Sequence, residues 1–128
     1  MRKLLSFIVL TAAVLLSAAT AGCSGTPQEE VAKQAMEYLK NGDAESYVAI
    51  SIQTTHRYAQ KVLDRIDKRH NGIKSYKLIG NVANPDNEDI WYVGFEITNG
   101  KDETFEGDIT IMKKDGKYLV KELGRWCK

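Results

Sequence analysis

Apolar and polar residues follow two different periods along this chain, one before Gly72 and one after it. Before Gly72, apolar residues recur every three or four positions in three stretches, which is the spacing of one helix face. After Gly72, apolar and polar residues alternate, which is the spacing of a half-buried strand. The pattern predicts helices starting near residues 26, 43 and 54, and strands over 73–82, 90–98, 104–113 and 118–126.

Capping and turn residues mark the ends of these elements. Thr26, Pro27 and Glu29 have the sequence of a capping box with proline at the first helical position. Asn-Gly pairs follow the first and third helices and favour left-handed helix ends. Short turn sequences join the strands, so neighbouring strands should run antiparallel. Because the helices precede the strands, the sequence predicts an α+β fold with three N-terminal helices packed on a four-stranded antiparallel sheet.

The start of the chain has the layout of an export signal. Two basic residues precede an uncharged run, Leu4–Gly22, whose end is rich in small residues. Residues 20–23, Thr-Ala-Gly-Cys, resemble the bacterial lipobox, in which the chain is cut before a lipid-modified cysteine. We therefore expect a removed signal peptide over 1–22, a lipidated tether over 23–26 and a single α+β domain over 27–128. Acyl chains on Cys23 would hold the domain at the cell membrane or outer membrane, outside the cytoplasm.

Two other interpretations of this segment stay open. Residues 19–21, Ala-Thr-Ala, also form a secretory cleavage site, and cleavage there would leave Cys23 able to pair with Cys127. The apolar run is also close to the length of a membrane span, about 18 residues. If Cys23 carries lipid, Cys127 is a lone thiol, either reactive or a small apolar residue. We expect the second, because no histidine neighbours it in the sequence.

The charge balance excludes some partners. The chain has 18 basic and 17 acidic residues, and removing Arg2 and Lys3 from the 18 leaves 16 basic residues against 17 acidic ones. A nucleic-acid partner requires a strongly basic surface, so we expect none. The same balance argues against a strong electrostatic attraction to anionic lipid.

Two stretches carry a family resemblance. The sequence EYLKNGDAESYVA, at the break between the first two helices, and DGKYLV, in the last hairpin, resemble the small bacterial lipoproteins of unknown function in the nuclear transport factor 2-like superfamily. The resemblance implies a curved sheet wrapped around the helices, with a pocket inside the cone. It also implies dimerisation through the outer sheet face in many relatives. It implies no defined activity, since fold does not determine function.

The strand alternation indicates which side chains face the helices. The predicted inward set lacks aspartate, glutamate and histidine; it comprises Tyr76, Leu78, Gly80, Val82, Trp91, Val93, Phe95, Ile97, Phe105, Gly107, Ile109 and Ile111. A general base must lie within hydrogen-bond reach of the proton it removes. We therefore expect no enzyme activity, no cofactor and no metal. Neither His56 nor His70 has the spacing of a metal site, and we expect both to be structural or surface residues.

Apolar residues on the two sheet faces suggest two candidate binding regions. The candidate pocket lining is Tyr58, Tyr76, Trp91, Phe95 and Phe105. For a domain of this size we expect the aromatic residues of the strands to fill the core rather than to line a cavity. The candidate interface, on the outer face, is Ile79, Ile90, Tyr92, Met112 and Leu119. The sequence therefore predicts a membrane-tethered envelope lipoprotein with a non-enzymatic binding domain, forming a homodimer or binding an envelope protein. The alternative is a carrier of a small apolar ligand or a pocket enzyme of the same superfamily.

Overall fold

The computed structural model describes residues 25–127, so the predicted signal peptide and Cys23 lie outside the described residues. The helices are α1 (Pro27–Asn41), α2 (Ala44–Ala49), α3 (Gln53–His56) and α4 (Ala59–His70). The strands are β1 (Ile73–Ala83), β2 (Ile90–Asn99), β3 (Thr104–Lys114) and β4 (Lys117–Leu123), and a 3₁₀ helix covers Arg125–Cys127. The predicted α+β class, with helices before an antiparallel sheet, is confirmed.

The first helix begins and ends as its sequence predicts. The Thr26 hydroxyl accepts from the Glu29 amide at 3.2 Å, and the Thr26 amide donates to the Glu29 carboxylate at 3.4 Å. Pro27 occupies the first turn, where its missing N–H leaves no bond unmade. Gly42 closes the helix in the left-handed conformation, at φ 70°. The reciprocal cap fixes where the N-terminal segment leaves the domain.

The third predicted helix is interrupted, and α3 and α4 take its place. The segment leading into α3 is tied to β4, because the Ile52 amide donates to the Val120 carbonyl at 2.9 Å. The Thr55 hydroxyl donates to the Lys121 carbonyl at 2.6 Å, so it bonds the sheet edge rather than capping a long helix. The chain then turns and α4 starts at Ala59. These bonds to β4 fix the one-turn helix at the sheet edge.

The four strands form one antiparallel sheet in the order β1-β2-β3-β4. The fourth strand was predicted to reach Trp126 but ends at Leu123. The Gly124 amide and the Trp126 indole N–H both donate to the Asp108 carbonyl, at 2.9 and 3.0 Å. A side chain at residue 124 would collide with Asp108, so glycine permits this turn into the 3₁₀ helix.

The predicted inward face is correct for β2 and wrong for the end of β1. A β-bulge between Leu78 and Gly80 shifts the register, and a bulge moves every later residue to the other face. Asn81 then pairs opposite Val93, and Val82 is 63% exposed. The core lies between the inner sheet face and the helices; its large fully buried members are Tyr47, Phe95, Met36, Ile97, Ile109, Ile111, Val93 and Val120.

Candidate functional site

A cleft of about 400 Å³ opens between the helices and the edge of the sheet. Its wall combines residues of α2, α3, α4, β4 and the 3₁₀ helix: Tyr47, Ile52, Thr54, Thr55, Tyr58, Val62, Arg65, Lys121, Glu122, Leu123 and Cys127. The break between α3 and α4 places Thr54 and Tyr58 on the same wall. The cleft therefore depends on the bonds that hold α3 to β4.

Tyr47 is the most unusual residue of this wall. It is 0% exposed, and its hydroxyl has no hydrogen-bond partner among residues 25–127. Two other buried oxygens in that range, on Gln28 and Asn81, also have no partner, but both belong to residues that remain partly exposed. An unpaired buried hydroxyl costs about 1–3 kcal/mol. Tyr47 therefore holds an unused donor behind the wall of the cleft, closed to solvent.

The environment of Tyr47 keeps its phenol protonated. Burial raises its pKa, the charge of a Cys127 thiolate would raise it further, and Ser51 offsets this in part. The Ser51 hydroxyl donates to the Tyr47 carbonyl at 2.7 Å, and it approaches the phenol closely enough to lower the phenol pKa, although it does not reach hydrogen-bond geometry there. A raised pKa means that the phenol keeps its proton at physiological pH. Tyr47 can therefore donate a hydrogen bond but cannot act as an anion.

Cys127 is a buried structural thiol at the same wall. Its Sγ lies 4.0 Å from the Val62 carbonyl oxygen. Burial raises the pKa of the thiol to about 11, although the positive charges of Arg65 and Arg69 act in the opposite direction. A thiol needs to ionise to attack an electrophile. Cys127 is therefore a poor nucleophile in the folded domain.

Charged groups lie at the mouth of the cleft. Arg65, Lys121 and Glu122 belong to the lining, and the Lys121 ammonium lies 3.5 Å from the Glu122 carboxylate. Tyr58 is exposed at the mouth; the Arg57 guanidinium and the Lys61 ammonium lie 5.3 and 5.9 Å from its ring centre. Positive groups thus predominate around the opening.

The predicted pocket residues divide between the cleft and the core. Tyr58 lines the cleft. Phe95 is fully buried, and Tyr76 packs edge-on against it at 5.9 Å between ring centres. Trp91 and Phe105 are half-buried beside Tyr118 and His70, at 5.6 and 4.9 Å. These four do not line the cleft; they pack the interior and its ends.

Sequence analysis missed the residues that give the cleft its polarity. The sequence pattern identifies none of Tyr47, Arg65 and Lys121 as a candidate site residue. A tyrosine at an apolar position of a helix indicates only that a hydroxyl will be buried, and a buried tyrosine hydroxyl normally finds a hydrogen-bond partner. Whether it finds one depends on tertiary structure, so the sequence alone could not identify it.

The predicted interface residues lie on the outer sheet face. Ile79 and Tyr92 are exposed, whereas Ile90, Met112 and Leu119 are half-buried and follow one another across three strands. Val82, which the bulge turns outward, pairs opposite Tyr92 and extends this face. The interface stays a prediction.

The two histidines have different surroundings. His56 is exposed, with its Nε2 3.0 Å from the Ser51 carbonyl. His70 lies between the Trp126 carbonyl, 3.0 Å from Nε2, and the Asn99 side-chain nitrogen, 3.1 Å from Nδ1. Since the Asn99 amide nitrogen can only donate, Nδ1 accepts and Nε2 carries the proton. His70 therefore joins the β2–β3 turn to the 3₁₀ helix.

Residues 25–127 contain no cluster of three or more His, Cys, Asp or Glu side chains that could hold a metal ion. No helix in the same range is long and apolar enough to cross a membrane. Two other surface concavities in this range have volumes of about 350 and 360 Å³, close to that of the cleft.

Comparison with known proteins places the architecture in a fold class. No family model matches the chain, and no curated protein matches it either. Among solved structures, it is similar to a crystal structure from Campylobacter jejuni described as a "Putative NTF2-like transpeptidase", with 19% identity and a TM-score of 0.58. The match covers 74% of this chain and 97% of that one. The domain, with its helices before an antiparallel sheet, therefore has a known α+β fold. That fold is the nuclear transport factor 2-like fold.

Proposed function

We propose that this chain is a membrane-tethered envelope lipoprotein whose folded domain binds a small molecule in the cleft without catalysing a reaction. The observation that carries the proposal is the cleft itself, a concavity of about 400 Å³ whose wall is built from α2, α3, α4, β4 and the 3₁₀ helix. A concave site where several elements meet is where small molecules usually bind.

The size and surface of the cleft support this proposal. Its volume of about 400 Å³ lies within the range of small-molecule sites, roughly 300–1,000 Å³. Ile52, Val62 and Leu123 supply apolar wall, and threonine, tyrosine and charged side chains supply most of the rest of the lining. A concave site that joins apolar wall to placed polar groups is the usual form of a ligand site.

The character of the cleft residues favours binding over catalysis. A transpeptidase or hydrolase of the thiol type needs an ionised cysteine next to a base. Burial raises the pKa of the Cys127 thiol to about 11, and no histidine belongs to the lining. The Tyr47 phenol also keeps its proton, so it cannot serve as a general base. These features support a binding role.

The proposed tether would place the domain close to a bilayer. The α1 cap begins at Thr26, three residues after Cys23, and three residues extend by at most about 10 Å. Intact-mass analysis of the membrane-fraction protein tests this part. We expect a mature chain that starts at Cys23 with the added mass of acyl chains, and a Cys23→Ala chain that lacks that mass. An unmodified mature chain in the wild type would overturn the tether.

A neutral fluorescent probe tests the binding site. Residues 25–127 contain α1 to α4, the sheet and the core, so the chain from residue 23, carrying Cys23→Ser to prevent acylation, is suitable. We expect N-phenyl-1-naphthylamine, an apolar dye, to bind with a rise in fluorescence. Thr54→Trp, at the exposed mouth, should abolish this rise, whereas Lys68→Trp, exposed on α4 outside the lining, should preserve it. Equal binding by both variants would refute the cleft as the site.

The outer sheet face supports a second candidate function, self-association. Val82 is 63% exposed opposite Tyr92, next to the half-buried row of Ile90 and Met112. Adjacent exposed apolar residues on a sheet favour association. Sedimentation velocity over a range of concentrations tests it: we expect a dimer that Val82→Lys converts to a monomer. A wild-type chain that stays monomeric throughout would exclude this function.

A further inference from the structure

We infer that one side of α4 is a docking surface for an extended acidic segment of a partner protein. The surface, here called the basic row, consists of the exposed residues Arg57, Tyr58, Lys61, Arg65 and Arg69. It adjoins the cleft but does not depend on a ligand there, since neither Lys61 nor Arg69 belongs to the cleft lining. The inference therefore goes beyond the proposed small-molecule site.

The contacts of the basic row place it on one side of α4. Residues four positions apart share a helix face. Arg65 lines the cleft, and the Lys61 ammonium lies 5.9 Å from the ring centre of Tyr58, which also lines it. Burial raises the pKa of the Cys127 thiol, and the charges of Arg65 and Arg69 oppose that rise, so both lie near the 3₁₀ helix. The row therefore follows the side of α4 that faces β4 and the 3₁₀ helix.

The acidic residues of α4 lie on its other side. Asp64 and Asp67 line a different concavity, between α4 and the end of α1, together with Lys40 from the last turn of α1. The Gln60 amide donates to the Asp64 carboxylate at 3.1 Å on that side. Lys68 lies on the exposed crest between the two sides. The charge of α4 is thus divided between its sides, although the whole chain has nearly equal numbers of basic and acidic residues.

The basic row is not neutralised by the part of the chain that the structure describes. Within residues 25–127, none of Lys61, Arg65 and Arg69 forms an ion pair with a carboxylate. Glu122, the one carboxylate of the cleft lining, lies 3.5 Å from the Lys121 ammonium. Like charges four positions apart destabilise a helix, so the row by itself lowers the stability of α4. An anionic partner paired with the row would remove that repulsion.

The spacing of the row fits carboxylates on an extended chain. Four residues of a helix span about 6 Å along its axis. Residues on the same side of an extended chain lie two positions apart, at about 6.7 Å. Carboxylates on alternate residues of a partner segment would therefore meet successive cations, first at Lys61, then at Arg65 and Arg69.

The exposed ring of Tyr58 favours a peptide over other anions. Tyr58 is 46% exposed, and the Arg57 guanidinium lies 5.3 Å from its ring centre. Tyrosine and arginine are the residue types that contribute most to binding at protein interfaces. A peptide offers apolar side chains to the ring as well as carboxylates to the cations, whereas a phosphate polymer offers only charge. A flat bilayer surface fits a concave wall poorly, and Arg65 lies in such a wall.

Fluorescence anisotropy with labelled peptides tests the inference on the chain from residue 23 with Cys23→Ser. The probe is a seven-residue peptide with glutamate at every second position and valine or threonine between them. One comparison peptide replaces each glutamate by glutamine, and another has the same composition with its four glutamates in succession. We expect the alternating peptide to bind, the glutamine peptide not to bind, and the third to bind several-fold more weakly. No binding of the alternating peptide would overturn the inference, and equal binding of the two acidic peptides would overturn the extended spacing.

A double variant assigns the binding to the basic row. Lys61→Gln with Arg65→Gln should weaken binding of the alternating peptide about fivefold, the value of two exposed ion pairs. Lys33→Gln with Lys40→Gln removes two cations from α1 and is the matched control, which should change the affinity less than twofold. Equal weakening by both double variants would show attraction to the whole chain and overturn the row as the site.

Salt and competing anions test the same surface without a variant. Raising the salt from 0.1 to 1 M shortens the Debye length from about 10 to about 3 Å, so the alternating peptide should dissociate. An affinity that does not depend on salt would overturn the role of charge. Linear inorganic polyphosphate should displace the peptide only at a several-fold higher concentration of charge, and vesicles of phosphatidylcholine and phosphatidylglycerol should not displace it. Tighter binding of polyphosphate or of the vesicles than of the peptide would overturn the peptide as the occupant.

Discussion

Two fully buried polar side chains, Asn99 and Tyr47, differ in whether their polar atoms have hydrogen-bond partners. Both are 0% exposed. The Asn99 oxygen accepts from the Lys101 and Glu103 amides, at 3.0 and 2.9 Å, and its nitrogen donates to Glu103 and His70, at 2.9 and 3.1 Å. The Tyr47 hydroxyl has no partner within residues 25–127.

The difference separates a buried polar group whose hydrogen bonds are all made from one whose hydroxyl is unpaired. Asn99 shapes the β2–β3 turn, and through His70 it fixes the carbonyl of Trp126. All of its hydrogen-bonding capacity is used inside the domain. The Tyr47 hydroxyl is closed to solvent and unpaired, which lowers stability. We therefore expect removal of the Asn99 side-chain amide to lower the free energy of unfolding, and removal of the Tyr47 hydroxyl to leave it unchanged or to raise it.

Replacing Asn99 should give the largest effect. Asn99→Leu keeps the approximate volume but leaves the Lys101 and Glu103 amides without their acceptor. We expect a loss of about 3 kcal/mol in the free energy of unfolding, from the range of about 1–3 kcal/mol for each unpaired buried group. Urea denaturation measures it. Thr98→Val, which removes a more exposed hydroxyl from the same strand, is the control and should cost less than about 0.5 kcal/mol. An equal loss in both variants would contradict the special role of Asn99.

The 3₁₀ helix lies between the surroundings of Asn99, which it meets through Trp126, and the cleft wall, to which it contributes Cys127. Gly107 packs against this helix. A methyl group at Gly107 would lie 2.6 Å from Cδ1 of Trp126, too close for any packing. Gly107→Ala should displace the indole from its bond to the Asp108 carbonyl and cost about 2 kcal/mol. Because Cys127 adjoins Trp126, the same change should expose the thiol to alkylation.

Mass spectrometry after iodoacetamide treatment measures that exposure. Gly94→Ala is a matched control on the neighbouring strand, since its new methyl group would meet Ile79 at 3.6 Å, an ordinary contact distance. We expect slow alkylation of Cys127 in the wild type and in Gly94→Ala, and faster alkylation in Gly107→Ala. A thiol that stays protected in Gly107→Ala would show that Trp126 does not fix the wall of the cleft.

Removing the Tyr47 hydroxyl should have a smaller effect with the opposite sign. Tyr47→Phe eliminates an unpaired buried donor and keeps the ring that fills the core. We expect the free energy of unfolding to stay the same or rise by up to about 1 kcal/mol. Thermal unfolding without ligand measures it, with Tyr118→Phe, at a half-buried tyrosine, as the control. A clear loss of stability in Tyr47→Phe would mean that the hydroxyl has a structural partner, and the contrast with Asn99 would disappear.

The local elements could be predicted from the sequence, because their signals are local. The capping box at Thr26, the left-handed ends at Gly42 and Asn71, and the alternation of β2 all depend on neighbouring residues. The failures depend on tertiary bonds. Val82 faces outward because of a β-bulge between Leu78 and Gly80, which the residue pattern did not predict. The helix breaks after His56 because Ile52 and Thr55 bond to β4, and this break also forms the cleft.

The pair of Glu37 and the half-buried Tyr76 should give the smallest effect, because the Glu37 carboxylate is exposed to water. The Tyr76 hydroxyl donates to the Glu37 carboxylate at 2.6 Å, and this bond lowers the Glu37 pKa below its ordinary value of 4.5. A group whose pKa is lower in the folded state adds stability above its unfolded pKa and loses it as the pH falls. The contribution should therefore be full at neutral pH and fade in acid.

Tyr76→Phe removes this bond and tests the sign. We expect it to be slightly less stable than the wild type at neutral pH, with the gap narrowing as the pH falls below 4.5. Urea denaturation of both chains over a pH series measures the gap. Glu37→Gln should lose the same pH-dependent part, since it removes the ionising partner. A gap that stayed constant with pH would assign the effect to packing of Tyr76 on Phe95 rather than to the hydrogen bond, and this pair would then resemble neither Asn99 nor Tyr47.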